Sequence, residues 1–346
     1  MDDNKIKLVV WDLDNTVWQG VLSEDDNVTL RPGITSIIET LDQRGILQSV
    51  SSKNNHDDAY GKLEELQLAH FFLYPKINWD PKSENIRKTI EQINISQDTV
   101  AFVDDQSFER DEVKYTLPDV TVIPADDIDS ILSLDIMNPF YITEDSRMRR
   151  SMYQDDIKRN EAETGFTGTK EEFLSTLQMI MTVKPAEEED LQRAEELTAR
   201  THQLNSTGYT FSYDELCHMI GSDEYELWIA DLSDRYGKYG KIGLVLVHNE
   251  QESWTLKLLL TSCRVMSRGI GSILLSMVIN KAIDAGKRVL AEFVLTDRNR
   301  IMLITYSMMG FKEIKRNDNI MLLEYTSGKK RKLPKHMEII DGTDEA

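Results

Sequence analysis

Two carboxylates one residue apart, Asp12 and Asp14, close the apolar run Leu8-Val9-Val10-Trp11. A short run of this kind reads as a buried parallel strand. In an open α/β sheet, ligands bind beyond the carboxyl ends of the strands. Alternate residues of a strand share a face, so both carboxylates are expected on one side. Two close carboxylates repel until a proton or a cation relieves them. Mg²⁺, a hard cation that takes oxygen ligands, suits the task. A second acidic pair, Asp104-Asp105, follows the apolar stretch 99–103, and Ser52 follows the stretch 46–50. Lys82 stands just after Pro81, at an expected helix start. Taken singly, a residue such as Lys82 is more often a solvated surface lysine, and one such as Ser52 more often a helix cap. Their shared place at strand ends and a helix start groups them on one rim.

The second half holds a different set, Cys263-Arg264-Val265-Met266-Ser267-Arg268-Gly269-Ile270-Gly271, ahead of an apolar helix. A glycine loop entering a helix holds phosphate groups on backbone N–H donors. A thiolate accepts acyl groups, and a neighbouring cation such as Arg264, or His202 if brought close, lowers its pKa. The plainer reading is a small buried cysteine and a structural histidine.

The elements that must position these residues follow from periodicity. Strands are expected at 7–13, 46–50, 71–74, 99–103 and 120–123, with helices at 34–41, 56–66 and 81–90 between them. That alternation predicts a doubly wound parallel sheet. Only about fifteen residues separate the first strand from Pro32-Gly33, too few for an inserted cap domain. Beyond 178, strands at 180–183, 227–230, 242–247 and 254–260 read as antiparallel, with helices at 186–201 and 298–309 and a strand at 288–295. The expected divisions are 1–135, a helical linker 136–177, a second α/β domain 178–327, and a flexible tail 328–346, basic and then acidic.

Composition excludes some classes. The 346 residues carry a net charge of −20, which argues against a nucleic-acid partner. Residues 1–250 hold 24 Lys and Arg against 49 Asp and Glu, whereas 251–346 hold 16 against 11. The basic final quarter suits an anionic cofactor or an acidic partner. No apolar run is long enough for a membrane span. Two cysteines, Cys217 and Cys263, make no disulfide framework, and the start Met1-Asp2-Asp3-Asn4 lacks a signal sequence; a cytoplasmic location is expected.

Asp12-Leu13-Asp14-Asn15-Thr16 resembles the DxDxT motif of the haloacid dehalogenase superfamily. The resemblance implies that Asp12 attacks phosphorus and Asp14 acts as general acid and base. It implies that Ser52 hydrogen-bonds the phosphoryl group, that Lys82 neutralises its charge, and that Asp104 and Asp105 complete a Mg²⁺ site with Asp12 and Asp14. The stretches 14–21, 52–55, 77–85 and 102–110 resemble the FkbH-like subgroup of polyketide and related biosynthesis. In that subgroup the phosphoglyceryl unit of 1,3-bisphosphoglycerate is dephosphorylated and glyceryl is loaded onto an acyl carrier protein. The subgroup usually has Cys before Ser-Lys-Asn; here it is Ser51. The order of elements after 178 resembles the GNAT acyltransferase fold. That implies a site for coenzyme A, or for the phosphopantetheine of a carrier, at Arg264, Arg268, Gly269 and Gly271, with Cys263 and His202 as candidate catalytic residues. One alternative is a Mg²⁺-dependent small-molecule phosphatase fused to an acetyl-CoA-dependent N-acyltransferase. Another is a carrier-binding scaffold.

Overall fold

The computed structural model describes residues 5–24 and 27–343. The acidic start 1–4 and positions 344–346 of the expected tail lie outside them. The chain divides into two compact units, Met1–Ile157 and Lys158–Ala346.

In the first unit, β1 (Leu8–Trp11) is followed by a small hairpin, β2 (Trp18–Gln19) and β3 (Thr29–Leu30). Then come α1 (Ile34–Gln43), β4 (Leu47–Ser52), α2 (His56–Glu65), β5 (Lys76–Ile77), α3 (Lys82–Ile93), β6 (Val100–Asp104), α4 (Ser107–Thr116), β7 (Thr121–Pro124) and α5 (Glu144–Arg147). The sheet order is β5-β4-β1-β6-β7, parallel throughout. All four side chains of β1 are buried because helices cover both faces. Val9 and Trp11 join one core with Ile34, Ile38 and Leu63, while Leu8 and Val10 join the other with Ile86, Ile90 and Val113. Trp11 lies level with Val50 of β4 and Val103 of β6, so three strands end on one line.

Two details differ from expectation. Residues 71–74 are not a strand: Ala69–Phe71 is a 3₁₀ turn, and only Phe72 makes a bridge, to Gln48. Phe71 and Phe72 point into the core instead, and the left-handed Tyr74 (φ 50°) breaks the extension. Residues 136–177, expected as a helical linker, do carry helices, but positions 149 and 150 are anchored rather than solvated. Arg149 donates to the Gly45 carbonyl at 2.8 Å, and Arg150 pairs with Asp42 at 2.8 Å. Gly45 is required there: its φ is 70°, and a Cβ would meet the Ser146 carbonyl oxygen at 2.7 Å. Both arginines belong to the helix α6 (Arg149–Thr164).

In the second unit, α7 (Lys170–Thr176) precedes β8 (Met179–Pro185), α8 (Glu188–Arg200), α9 (Tyr213–Ile220), β9 (Tyr225–Asp234), β10 (Gly237–Asn249) and β11 (Ser253–Thr261). A 3₁₀ turn, Cys263–Arg268, leads into α10 (Ile270–Asp284). β12 (Arg288–Val294), α11 (Arg300–Met308), β13 (Phe311–Asn317), β14 (Ile320–Tyr325) and β15 (Met337–Asp341) complete it. The sheet order is β13-β14-β12-β11-β10-β9-β8-β15, with only β11–β12 and β8–β15 parallel. Alternation along β9 sends Trp228 and Ala230 to the core that holds α10, and Leu227 and Ile229 to the core that holds α8 and α9.

Part of the expected flexible tail 328–346 is an ordered strand. Met337–Asp341 pairs with β8, and Met337 is packed into the core. The basic run before it masks a short strand whose register needs a partner 158 residues earlier. In α6, Arg159 is fully buried and grips Asp234 with two bonds of 2.7 and 2.9 Å, its guanidinium stacked 3.8 Å from the Tyr239 ring. Arg159→Ala strands the buried Asp234 carboxylate and is expected to cost about 3 kcal/mol. Urea unfolding of the second unit measures this, and an unchanged midpoint would refute it. The α/β class expected from the sequence is the one observed, with a doubly wound parallel sheet and then a second α/β unit.

Candidate active site

The aligned ends of β1, β4 and β6 bring Asp12, Ser51, Ser52 and Asp104 to one rim, all buried. Lys82 enters from the first turn of α3, directly after Pro81, and is 2% exposed. Its Nζ lies 2.7 Å from Asp12 Oδ1 and 2.5 Å from Asp104 Oδ2. Asp104 Oδ1 accepts from the backbone N–H of Gln106 at 2.8 Å, which fixes the carboxylate. Ligand atoms of Asp12, Asp104 and Asp105 lie within 4.8 Å of one another. Asp105 Oδ1 is buried and has no hydrogen-bond partner among the described residues.

Burial pushes Asp12 up to about 7, and the nearby Asp104 charge adds to that, against the pull of Lys82. Burial and Asp104 likewise hold Asp105 above the usual carboxylate range. Burial alone would lower Lys82, but Asp12 and Asp104 outweigh it and hold the ammonium above the ordinary lysine value. Three carboxylates and one ammonium thus share a water-poor site with two positive charges too few for full ionisation. A hard divalent cation with oxygen ligands fits that deficit and the orphaned Asp105 oxygen.

The side chain of Asp14 is not part of this group. β1 stops at Trp11, and Asn15 is left-handed (φ 52°), so strand alternation does not reach Asp14. Its Oδ1 accepts from Trp18 Nε1 at 2.7 Å and Leu22 N–H at 3.1 Å, and its Oδ2 from Asn54 Nδ2 at 2.9 Å. Asn54 also reaches Ser52 Oγ at 3.4 Å. Arg31 braces this turn by donating to the carbonyls of Thr16 and Asn15 at 2.9 and 2.7 Å. Lys53 pairs with Glu109 at 2.6 Å, and Arg110 donates to the Asp104 carbonyl at 2.8 Å. Sequence reading alone did not single out Asn54, Arg31, Glu109 or Gln106 for a role. Their partners lie on other elements, and no spacing announces them. Ser51 Oγ, beside Ser52, is buried with no hydrogen-bond partner among the described residues.

In the second unit, Cys263 is half-buried and His202 exposed. Their segments meet: Thr261 N–H donates to the Leu204 carbonyl at 2.9 Å, two residues from each. Gly269 is left-handed (φ 74°) and starts α10 with no side-chain cap, and Gly271 faces open space. Arg268 departs from its expected place. It is 4% exposed, directed at Glu163 (3.5 Å) and the Phe173 ring, and so packs inward from the loop. β11 and β12 pair only over Ser253–Leu256 and Arg288–Ala291. Beyond that, Ser206 spans the two strands, its N–H donating to Leu259 at 2.9 Å and its carbonyl accepting from Val294 N–H at 3.1 Å.

Residues 13–112 match the family described as haloacid dehalogenase-like hydrolase. No curated protein matches the chain. The chain is similar to the structure of the N-terminal part of the protein BF1531 from Bacteroides fragilis, containing a phosphatase domain complexed with Mg. The identity is 33% over 40% of this chain and 41% of that one, with a TM-score of 0.34. The chain thus spans less than half of that relative. It is also similar to the ribosomal-protein-S18-alanine N-acetyltransferase of Escherichia coli, at 14% identity over 44% of this chain and 99% of that one (TM-score 0.34). A third similar structure is the PaiA N-acetyltransferase of Thermoplasma acidophilum in complex with coenzyme A, at 15% identity over 42% of this chain and 98% of that one (TM-score 0.35). No helix among the described residues is long and apolar enough to cross a membrane. The match to the haloacid dehalogenase-like hydrolase family covers residues 13–112, and the Asp12, Lys82 and Asp104 cluster stands at the rim of that stretch.

Proposed function

We propose that the chain is an FkbH-like glyceryl transferase and phosphatase. It takes the phosphoglyceryl unit of 1,3-bisphosphoglycerate, removes its phosphate, and loads glyceryl onto an acyl carrier protein. The observation that carries the phosphatase half is the buried Lys82 ammonium between Asp12 and Asp104, with Asp105 alongside. Asp12, Asp104 and Asp105 are the residues that would hold Mg²⁺, which supplies charge neutralisation at the phosphoryl oxygens when bound. Asp12 forms the new O–P bond as the ester P–O bond breaks, and Asp14 gives its proton to the departing oxygen. Water then attacks phosphorus, Asp14 takes the proton, and the Asp12–phosphorus bond breaks. Ser52 hydrogen-bonds the phosphoryl group, and Lys82 balances its charge.

Asn54 sets where Asp14 points, through the 2.9 Å bond to Oδ2. Asn54→Ala is expected to lower kcat for phosphate release about ten- to hundredfold and leave KM and the melting temperature nearly unchanged. A fall in KM affinity with unchanged kcat would put Asn54 in substrate binding instead.

For the transfer half, Cys263 is the acyl acceptor candidate, and His202 and Arg264 its activators. The hydrogen bond that joins the end of β11 at Thr261 to the turn at Leu204 supports their meeting. Gly269 and Gly271 at the uncapped start of α10 suit the phosphate of a phosphopantetheine or of coenzyme A. Arg268, turned toward Glu163, is left out of that role. The test is incubation with 1,3-bisphosphoglycerate and a phosphopantetheinylated carrier, followed by intact-mass measurement of both proteins. A glyceryl adduct is expected on the carrier, and Cys263→Ala should abolish it without slowing hydrolysis of small phosphate esters. Normal loading by Cys263→Ala would shift the acceptor role to Ser51. Phosphate release with no carrier adduct would favour a phosphatase joined to a coenzyme-A-dependent N-acyltransferase.

A further inference from the structure

On α11 the inner face is packed: Met302 and Tyr306 are buried against Phe293 and Phe311. The outer face is apolar too. Ile301, Ile304 and Met308 are 45, 53 and 79% exposed and follow one another at helical spacing. Single exposed apolar residues are ordinary, but a stripe of three on one helix marks a covered surface. α11 turns through Gly310 into β13, an edge strand of the sheet, where Ile314 is exposed at a bulge.

The charges around the stripe run against the rest of the chain. Residues 297–335 contain ten Lys and Arg against four Asp and Glu, in a chain of net charge −20. Arg298, Arg300, Lys312 and Lys315 are exposed and make no ion pair among the described residues. The basic run 329–332 is drawn to the same end of the helix, because Arg331 Nη2 lies 3.6 Å from Met309 Sδ.

We propose that the outer face of α11, framed by Arg298, Arg300, Lys312 and Lys315, is the docking surface for the acidic carrier protein. The partner presents an apolar helical ridge to Ile301, Ile304 and Met308 and carboxylates to the surrounding cations. This rests on the carrier-loading reading above. Charge complementarity selects the occupant: the stripe is small, and the cations that frame it have no acidic partner among the described residues. An anionic bilayer would meet the same cations, but also the large acidic excess of the remainder.

The test uses the full chain and a purified phosphopantetheine-bearing acyl carrier protein of net negative charge. The wild type is compared with Ile304→Asp and with Arg300→Glu/Lys315→Glu, all at exposed positions. Both variants should keep the wild-type melting temperature and the rate of phosphate release from a small ester. Each should weaken carrier binding and raise KM for the carrier by at least about tenfold, and added salt should weaken the wild type toward the charge-reversed variant. If the wild type loads the carrier and both variants load it equally well, this surface is wrong and the function reading stands. If the wild type neither binds nor loads the carrier, both fall. A wild-type dimer that Ile304→Asp converts to a monomer would assign the stripe to a second copy. Binding to phosphatidylserine vesicles that Ile304→Asp abolishes, with no carrier binding, would assign it to membranes. Either result overturns the proposal.

Discussion

Asp12→Asn is expected to abolish phosphate release, with a loss of at least about a thousandfold in kcat. The amide keeps the shape of the side chain and cannot attack phosphorus. The fold should survive the change. Asp12 is buried and its pKa is raised to about 7, so at pH 8 its charge is a cost of burial that a neutral amide removes. Its partner Lys82 keeps Asp104 at 2.5 Å. The melting temperature of Asp12→Asn at pH 8 should therefore equal or exceed that of the wild type. Phosphate release is read with a small ester in excess Mg²⁺, and melting by circular dichroism. Wild-type turnover from the folded variant would remove Asp12 from the chemistry. A collapsed melting temperature would mean that the Asp12–Lys82 contact holds the rim together.

The second large effect is expected from Lys82→Met. The methionine fills much the same space but leaves Asp12, Asp104 and Asp105 with no internal cation. Breaking a buried pair from one side costs about 3–5 kcal/mol, and phosphate release should fall by about a hundredfold or more. The pH dependence identifies the cause. The pKa of Asp12 is raised on folding, so its contribution to stability is complete below the ordinary carboxylate value of about 4 and is lost as pH rises through about 7. Without Lys82 that folded pKa rises further and the loss on the alkaline side deepens. Lys82→Met should thus be least destabilised at pH 5 and most at pH 8, without added metal. Mg²⁺ should restore part of the difference. Equal destabilisation at both pH values would point to lost packing against Phe102, whose ring lies 5.9 Å from Nζ.

Much of this was legible from residue order. β1, β4 and β6 are short, wholly buried runs, and each brings a polar group to its carboxyl end: Asp12 just after β1, and Ser52 and Asp104 as the last residues of β4 and β6. The pattern of apolar run and then rim residue carried both the sheet and the cluster. Two kinds of information were not local. Asp14 was placed by alternation, a rule that ends with the strand at Trp11, while the hydrogen bonds from Trp18 and Asn54 decide where it points. Lys82 was ambiguous by itself; its burial depends on two carboxylates 70 and 22 residues away. The inward turn of Arg268 depends on Glu163, 105 residues earlier, and spacing within the glycine loop carries no trace of it. β15 escaped for the same reason, since its five residues gain a partner only through β8.

That last strand bears on how the chain comes to be folded. In the first unit, β1 finds β4 about forty residues on and β6 about ninety residues on, so its sheet can form while later residues are still being synthesised. β8 must wait for β15, whose Met337 pairs with Met179. Closing so long a loop late, and in parallel register, is slow. Until it closes, the outer edge of β8 offers unpaired N–H and C=O groups beside the half-exposed Ile180, a template for another chain in the same state. The period of greatest aggregation risk is therefore the interval between release of the first unit's finished sheet and capture of residues 337–341 by the second.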